Sequence, residues 1–259
     1  MNGLIGHTGF IGGHLARQRR WDACFSRANV DALRGGSFEL LVCAALPSDR
    51  WRANANPAGD RSNMMSLANA LAEVRAERFV FVSTTDVYPV PVAVDETTPF
   101  EPPRHRAYGE HRLEFERIVA GQFADCRIVR LPTVFGTGMR RNVLLDLIRR
   151  ADLDGVDPRG TFQWYPATRL ADDLDRLLAT DVPLANLCTQ PVETARLHRE
   201  FFDDLSIGGR PGPVVRHDVR TRHGHLFGGD ARYVMSAEEV VRSIGDWLRS
   251  LGQFGQLDA

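Results

Sequence analysis

Continuous apolar runs alternate along this chain with stretches where apolar residues recur every three or four positions. FELLVCAAL (Phe38 to Leu46), RFVFVS (Arg78 to Ser83) and RIVRL (Arg127 to Leu131) read as strands buried on both faces, as in parallel sheets. MNGLI and DACF (Asp22 to Phe25) predict shorter strands, and LANLC (Leu184 to Cys188) a last one. Helical spacing follows the first strand in GFIGGHLARQ, covers Ser62 to Arg75 with Met65, Leu67, Ala68, Leu71 and Val74 on one face, and returns at Gly109 to Phe123. Strands separated by helices predict βαβ units, so the expected fold class is α/β with a doubly wound parallel sheet.

After Pro132 the rhythm loosens. Val143 to Arg150 and Asp172 to Ala179 predict helices, and Thr161 to Trp164 a strand. Gly208 to Gly229 reads as loop, and Ser236-Ala-Glu-Glu239 is a capping box opening a helix over Ala237 to Leu251. There are no repeats and no linker. The expected division is a sheet domain of residues 1–135 plus about 170–190, interleaved with a small C-terminal substrate lobe of 136–169 plus 191–259.

Composition removes whole classes of function. With 259 residues, 43% hydrophobic and a formal net charge of −1, nothing points to nucleic acid or a membrane as partner. No run reaches the length of a membrane span, and no leader is recognised, so a cytoplasmic location is expected. Cys24, Cys43, Cys126 and Cys188 are widely spaced without a C-x-x-C pair, which predicts reduced cysteines and no metal site. All 32 basic residues are arginine.

The chemistry starts at Gly6-His7-Thr8-Gly9-Phe10-Ile11-Gly12, a G-x-x-G-x-x-G turn between a strand and a helix. The first glycine allows the turn, the second lets the backbone approach a pyrophosphate, and the third lets helix pack on strand. The helix start adds open N–H groups and the positive end of its dipole. This is a Rossmann dinucleotide turn, and Thr8, Gly9, Phe10 and Ile11 are its expected cofactor contacts. NAD users carry an acid at the end of the second strand. Here the chain reads Phe25-Ser26-Arg27. Ser26 and Arg27 therefore favour NADP(H) over NAD(H), since an arginine fork suits a 2′-phosphate; the competing reading of Arg27 is a solvated loop charge.

Taken in order, GHTGFIGGHL, VCAALP, FVFVSTTDVYP, VDETTPFEPP, AYGEHR and IVRLPTVFGTG resemble the extended short-chain dehydrogenase/reductase superfamily, specifically the NAD-dependent epimerase/dehydratase family. The resemblance spans about residues 1 to 190. It implies a nicotinamide cofactor bound also by Ala44, Ala45, Leu131 and Thr133. It places Thr84 on the family's catalytic Ser/Thr, Tyr108 on its catalytic tyrosine, and Arg112 on the lysine four residues later. In that scheme the tyrosine exchanges a proton at a carbinol oxygen, Thr84 bonds the same oxygen, and the cation orients the nicotinamide ribose and lowers the tyrosine pKa. An unperturbed tyrosine at pKa ~10 is a poor base at neutral pH. Arginine supplies the same field as lysine but cannot release a proton. The competing reading makes Arg112 a solvent-facing helix charge.

Asp86 falls where the family's dehydratases carry an acid/base; it serves equally well as a loop cap. Thr85 and Tyr88 are expected beside the substrate, with Asn142, Gln163 and Arg169 from the lobe, while Trp164 reads as readily as core. Thr133 replaces the asparagine of an R-x-x-N pattern common among nucleotide-sugar enzymes. Three functions stay open: an NAD(P)-dependent oxidoreductase acting at a hydroxyl or ketone of a sugar-like, possibly nucleotide-linked substrate; an epimerase or dehydratase that retains its cofactor; and a dinucleotide-binding module without catalysis. A homodimer is possible through the helices around the site, where Leu113, Phe115, Ile118 and Val119 serve either an interface or the core.

Overall fold

The computed structural model describes residues 1–99, 106–210 and 212–253. Its elements in chain order are β1 (Asn2–Ile5), α1 (Phe10–Gln18), β2 (Ala23–Phe25), β3 (Ser37–Cys43), α2 (Arg50–Ala55), α3 (Pro57–Leu71), β4 (Arg75–Thr84), β5 (Val92–Val94), α4 (Ala107–Gln122) and β6 (Cys126–Leu131). They continue with β7 (Thr133–Phe135), α5 (Val143–Arg149), β8 (Thr161–Phe162), β9 (Trp164–Pro166), α6 (Leu170–Leu178), β10 (Leu184–Asn186), β11 (Val192–Glu193), α7 (Thr194–Phe201), β12 (Asp218–Val219) and α8 (Ala237–Gln253). Part of the VDETTPFEPP stretch, residues 100–103, lies outside the described residues.

The chain divides into two compact units. The first comprises Met1–Val90, Glu96–Leu131 and Thr168–Asn186. Its six strands form one parallel sheet in the order β10-β6-β4-β3-β1-β2. Alternate residues of each strand face opposite ways, and both faces are buried. Ile5, Leu41, Cys43, Phe79, Phe81 and Ile128 join Met64, Leu67 and Leu71 of α3 and Phe115 and Val119 of α4 in one cluster. Phe79 stacks on Phe123 with centroids 4.1 Å apart, and burying rings of this size contributes about 1.5–3 kcal/mol each. Across the sheet, α1 packs against α6, with Gln18 Oε1 accepting from the Ala171 N–H at 3.0 Å.

The apolar residues of α4 thus go to the core. Leu113 is 7% exposed, Phe115 and Val119 are sealed, and Ile118 packs against the cluster. Outside them, Arg61 of α3 and Glu114 of α4 form a two-pronged ion pair at 3.1 and 2.6 Å.

Several boundaries differ from expectation for identifiable reasons. α3 starts at Pro57 because Asn56 caps it, its side chain accepting from the Gly59 N–H. β4 begins at Arg75 because parallel pairing with Ser37 and Phe38 of β3 draws polar residues into the ladder. α2 went unpredicted; at six residues it has no period to read, and Asp49 caps it.

The second unit comprises Pro91–Asp95, Pro132–Ala167 and Leu187–Ala259. It is built on two-stranded pairs, β7 with β9, β8 with β11 and β12 with β5. The strand expected at Thr161 to Trp164 is split between two of them, which turn at Gln163. The capping box forms: the Ser236 N–H donates to Glu239 Oε2 at 2.8 Å, and the Glu239 N–H to Ser236 Oγ at 3.3 Å. Among the described residues no helix is long and apolar enough to cross a membrane, and none of the four cysteines forms a disulfide.

Candidate active site

β1 has β2 on one side and β3 on the other, so the chain reverses its winding direction at the carboxyl ends of β1 and β3. Open α/β sheets bind ligands at such a crevice. Gly6 sits there at φ +92°, its N–H donating to the Phe25 carbonyl at 2.7 Å. A Cβ on Gly6 would come within 2.5 Å of the Ala44 carbonyl, and one on Gly12 within 2.0 Å of the Gly6 carbonyl. Both positions require glycine. Gly9 is different: it is exposed, and a Cβ there would meet only the Gly6 carbonyl at 3.3 Å. The turn is therefore closed beneath and open above, where the first N–H groups of α1 lack helical acceptors. That shape fits a pyrophosphate over Thr8, Gly9, Phe10 and Ile11, with Ala44 and Ala45 beside Gly6. His7, not singled out from the sequence, has Nδ1 3.0 Å from the Phe25 carbonyl, which braces the turn on β2.

At the end of β2, Asn29 Oδ1 accepts from the Ser26 N–H at 2.7 Å, and Ser26 Oγ from the Ala28 N–H at 3.3 Å. This small closed loop leaves Arg27 exposed, with no ion-pair partner among the described residues. The first acid downstream, Asp31, is occupied by Arg34.

The catalytic candidates converge at the carboxyl end of β4 and the start of α4. Thr84 ends β4, and the chain then makes a short 3-10 turn through Thr85, Asp86 and Val87. Thr84 Oγ1 accepts from the Asp86 N–H at 3.2 Å and lies 3.3 Å from Asp86 Oδ2. Thr85 is buried. α4 docks directly on this turn: a Cβ on Gly109 would stand 2.1 Å from the Asp86 carbonyl. Gly109 thereby brings its neighbour Tyr108 against the Thr84 loop. The Tyr108 N–H is capped by Asn54 Oδ1 of α2 at 3.0 Å. The Tyr108 hydroxyl has no hydrogen-bond partner among the described residues.

Arg112 sits against Tyr108, where its charge pulls the tyrosine pKa down as expected, but it is held from below. Its guanidinium lies over the Tyr108 ring, 4.1 Å from the centroid, and is 2% exposed. Nη1 donates to Asp60 of α3 and Nη2 to the Pro47 carbonyl. Each terminal nitrogen thus gives one of its hydrogens to a protein acceptor, and Nε is buried without a partner among the described residues. The solvent-facing reading fails as well. Asp60 also lies 2.7 Å from His111 Nδ1. Burial pushes the Asp60 carboxyl up, but the hydrogen bonds from Arg112 and His111 outweigh it and hold it below the usual range. Neither Asp60 nor His111 was picked from the sequence, because their partners are 51 and 52 positions apart.

The tyrosine responds accordingly. Burial pushes Tyr108 up to about 12; the pull of Arg112 lowers it, but Asp86 and Asp60 offset the cations beside them. The expected depression does not survive. Tyr108 holds its proton at neutral pH. Asp86, in turn, receives Arg50 Nη1 at 2.9 Å.

Several expected substrate contacts are internal ties. The Tyr88 hydroxyl accepts from Arg130 Nη1 at 2.8 Å and from Asn186 Nδ2 at 2.9 Å, within a network where Glu116 holds Arg130 at 3.0 and 2.6 Å and Ser83 at 2.5 Å. A buried arginine must be given acceptors, and Tyr88 is one of them. Gln163 is sealed, donating to the Thr189 and Val219 carbonyls and accepting from the Val219 N–H. Asn142 caps α5 through the Leu145 N–H. Arg169 belongs to the first unit and pairs with Asp173 at 3.0 and 3.1 Å. Trp164 is core. Leu131 ends β6 in the first unit, and Thr133 opens β7 in the second.

No curated protein matches the chain closely enough to count as a relative. Solved structures resemble its fold. Similar folds include RMD from Pseudomonas aeruginosa, complexed with NADPH, at TM-score 0.70 and 17% identity over 95% of this chain and 98% of that one. DesIV, a dTDP-glucose 4,6-dehydratase from Streptomyces venezuelae with NAD bound, gives 0.69 and 17% over 100% of both. A dTDP-4-dehydrorhamnose reductase from Clostridium acetobutylicum gives 0.71 and 15% over 97% and 100%. At these identities the likeness speaks for the fold, the α/β architecture with a parallel six-stranded sheet. The family model for NAD dependent epimerase/dehydratases matches residues 27–163, more than half the chain, and with it the chain belongs to that family of nicotinamide-dependent enzymes.

Proposed function

We propose that this enzyme is an NAD(P)H-dependent reductase of a ketone on a sugar-like substrate, nucleotide-linked as in DesIV, with Tyr108 as the proton donor. The observation that carries this reading is Tyr108 itself: a hydroxyl without a partner, held protonated by burial beside Thr84 and Asp86. A nicotinamide dinucleotide held over the Gly6 to Gly12 turn would supply the hydride. Tyr108 gives its proton to the alkoxide that forms, and Thr84 donates a hydrogen bond to the same oxygen. A phenol at about 12 is still a far stronger acid than an alcohol, so the transfer runs downhill, whereas as a base it is nearly unavailable at neutral pH.

Arg50 and Asp86 support this reading over its nearest rival. A dehydratase needs a carboxylate free to remove a proton beside the transient ketone. Asp86 is engaged by Arg50 and lies against Thr84, which suits it to fixing the loop. Arg27, exposed without an acidic neighbour, supports NADP(H) as the preferred cofactor.

The test is oxidation of NADPH and of NADH with 4-keto nucleotide sugars. Consumption of reduced cofactor that is abolished by Tyr108→Phe supports the reading. Tight retained dinucleotide with no net redox change, and a product that is an epimer or a dehydrated sugar, would replace it with the epimerase/dehydratase reading.

A further inference from the structure

Arginine meets carboxylates best along the edge formed by Nε and Nη2, whose two N–H bonds run parallel. In this chain that edge is repeatedly closed. Arg61 uses it on Glu114, Arg130 on Glu116, Arg159 on Asp157, Arg169 on Asp173 and Arg220 on Asp218. Arg50, like the surface arginines Arg78 and Arg150, does not close it on both nitrogens. It engages Asp86 through Nη1, and neither Nε nor Nη2 has a partner among the described residues. Its side chain is 57% exposed, so the open edge is available to solvent.

Its location gives this edge a use. Arg50 opens α2, whose Asn54 caps the backbone of Tyr108, and its partner Asp86 touches Thr84. The next residue, Trp51, is 72% exposed. A single guanidinium serving two carboxylates has a parallel in this molecule: Arg196 holds Glu200 through Nε and Glu238 through Nη1.

We propose that Arg50 is the recognition residue for a carboxylate on the sugar part of the substrate, near the carbon served by Tyr108; the substrate is then an acidic sugar. The proposal rests on the reading of the site as a nucleotide-sugar reductase. Asp86 fixes the guanidinium through one nitrogen and leaves the two-pronged edge to the incoming group. Charge-assisted pairs of this kind contribute enough to give about tenfold in affinity or more.

Calorimetric titration of the full chain with UDP, UDP-glucose and UDP-glucuronic acid tests it. The uronate is expected to bind about tenfold or more tighter than UDP-glucose. Arg50→Gln should bring that ratio close to one, and Arg50→Lys, which keeps the charge but loses the fork, should leave an intermediate ratio. Circular dichroism checks that each variant is folded. Three results overturn the proposal while leaving the reductase reading intact: no preference in the unaltered protein, a preference that survives Arg50→Gln, or equal weakening of all three ligands including UDP, which would assign Arg50 to the diphosphate. Binding of none of the three removes the nucleotide-sugar reading and this proposal with it.

Discussion

Replacing Asp60 by alanine tests how Arg112 is held. Arg112 is 2% exposed, and its countercharge is the Asp60 carboxylate. Without it a guanidinium stays buried with, among the described residues, only the Pro47 carbonyl as acceptor, and His111 loses this carboxylate too. Removing one member of a buried ion pair costs about 3–5 kcal/mol. For 259 residues unfolding as one transition that corresponds to a fall of about 6–9 °C in Tm. Urea denaturation followed by circular dichroism at neutral pH measures it. The pH dependence has a definite sign. Asp60 is held below its ordinary range, so its contribution is fully present above the unfolded carboxyl pKa of ~4. It is lost as pH falls through the lower folded value. The stability gap between Asp60→Ala and the unaltered protein should therefore narrow in acid. A loss under about 1 kcal/mol at neutral pH, the size of an exposed pair, would refute the reasoning.

Other expectations follow from single contacts. With Tyr108 at about 12, the rate of alcohol oxidation should climb with pH throughout the neutral and mildly alkaline range, while ketone reduction stays level; a pH–rate profile with a Tyr108-dependent limb near pH 7 would contradict this. Gly109→Ala forces a methyl to within 2.1 Å of the Asp86 carbonyl and should lower kcat about 100-fold by displacing Tyr108, measured on protein shown to be folded. Ser236→Ala removes a reciprocal cap and should cost about 1 kcal/mol in chemical denaturation without changing kcat. Arg27→Ala should lower kcat/KM for NADPH more than for NADH, and an equal loss for both would leave Arg27 a surface charge.

The sequence alone determined the parallel sheet, because strands buried on both faces show as unbroken apolar runs. It determined the dinucleotide turn, because Gly6 and Gly12 stand where a side chain would strike backbone. Motif order singled out Thr84 and Tyr108, which the fold brings to one loop–helix junction. What it left undecided involves partners far apart in the chain. The fate of Arg112 turned on Asp60 and Pro47, the protonation of Tyr108 on burial against charges from four segments, and the employment of Asp86 on Arg50 of an unpredicted helix. Tyr88 and Gln163 looked like substrate contacts because polar residues near a site read as ligands. Only the fold shows that they satisfy buried groups, Arg130 and the backbone of Val219. Local pattern records which face a residue presents; the charges and acceptors that meet it there are brought by tertiary structure.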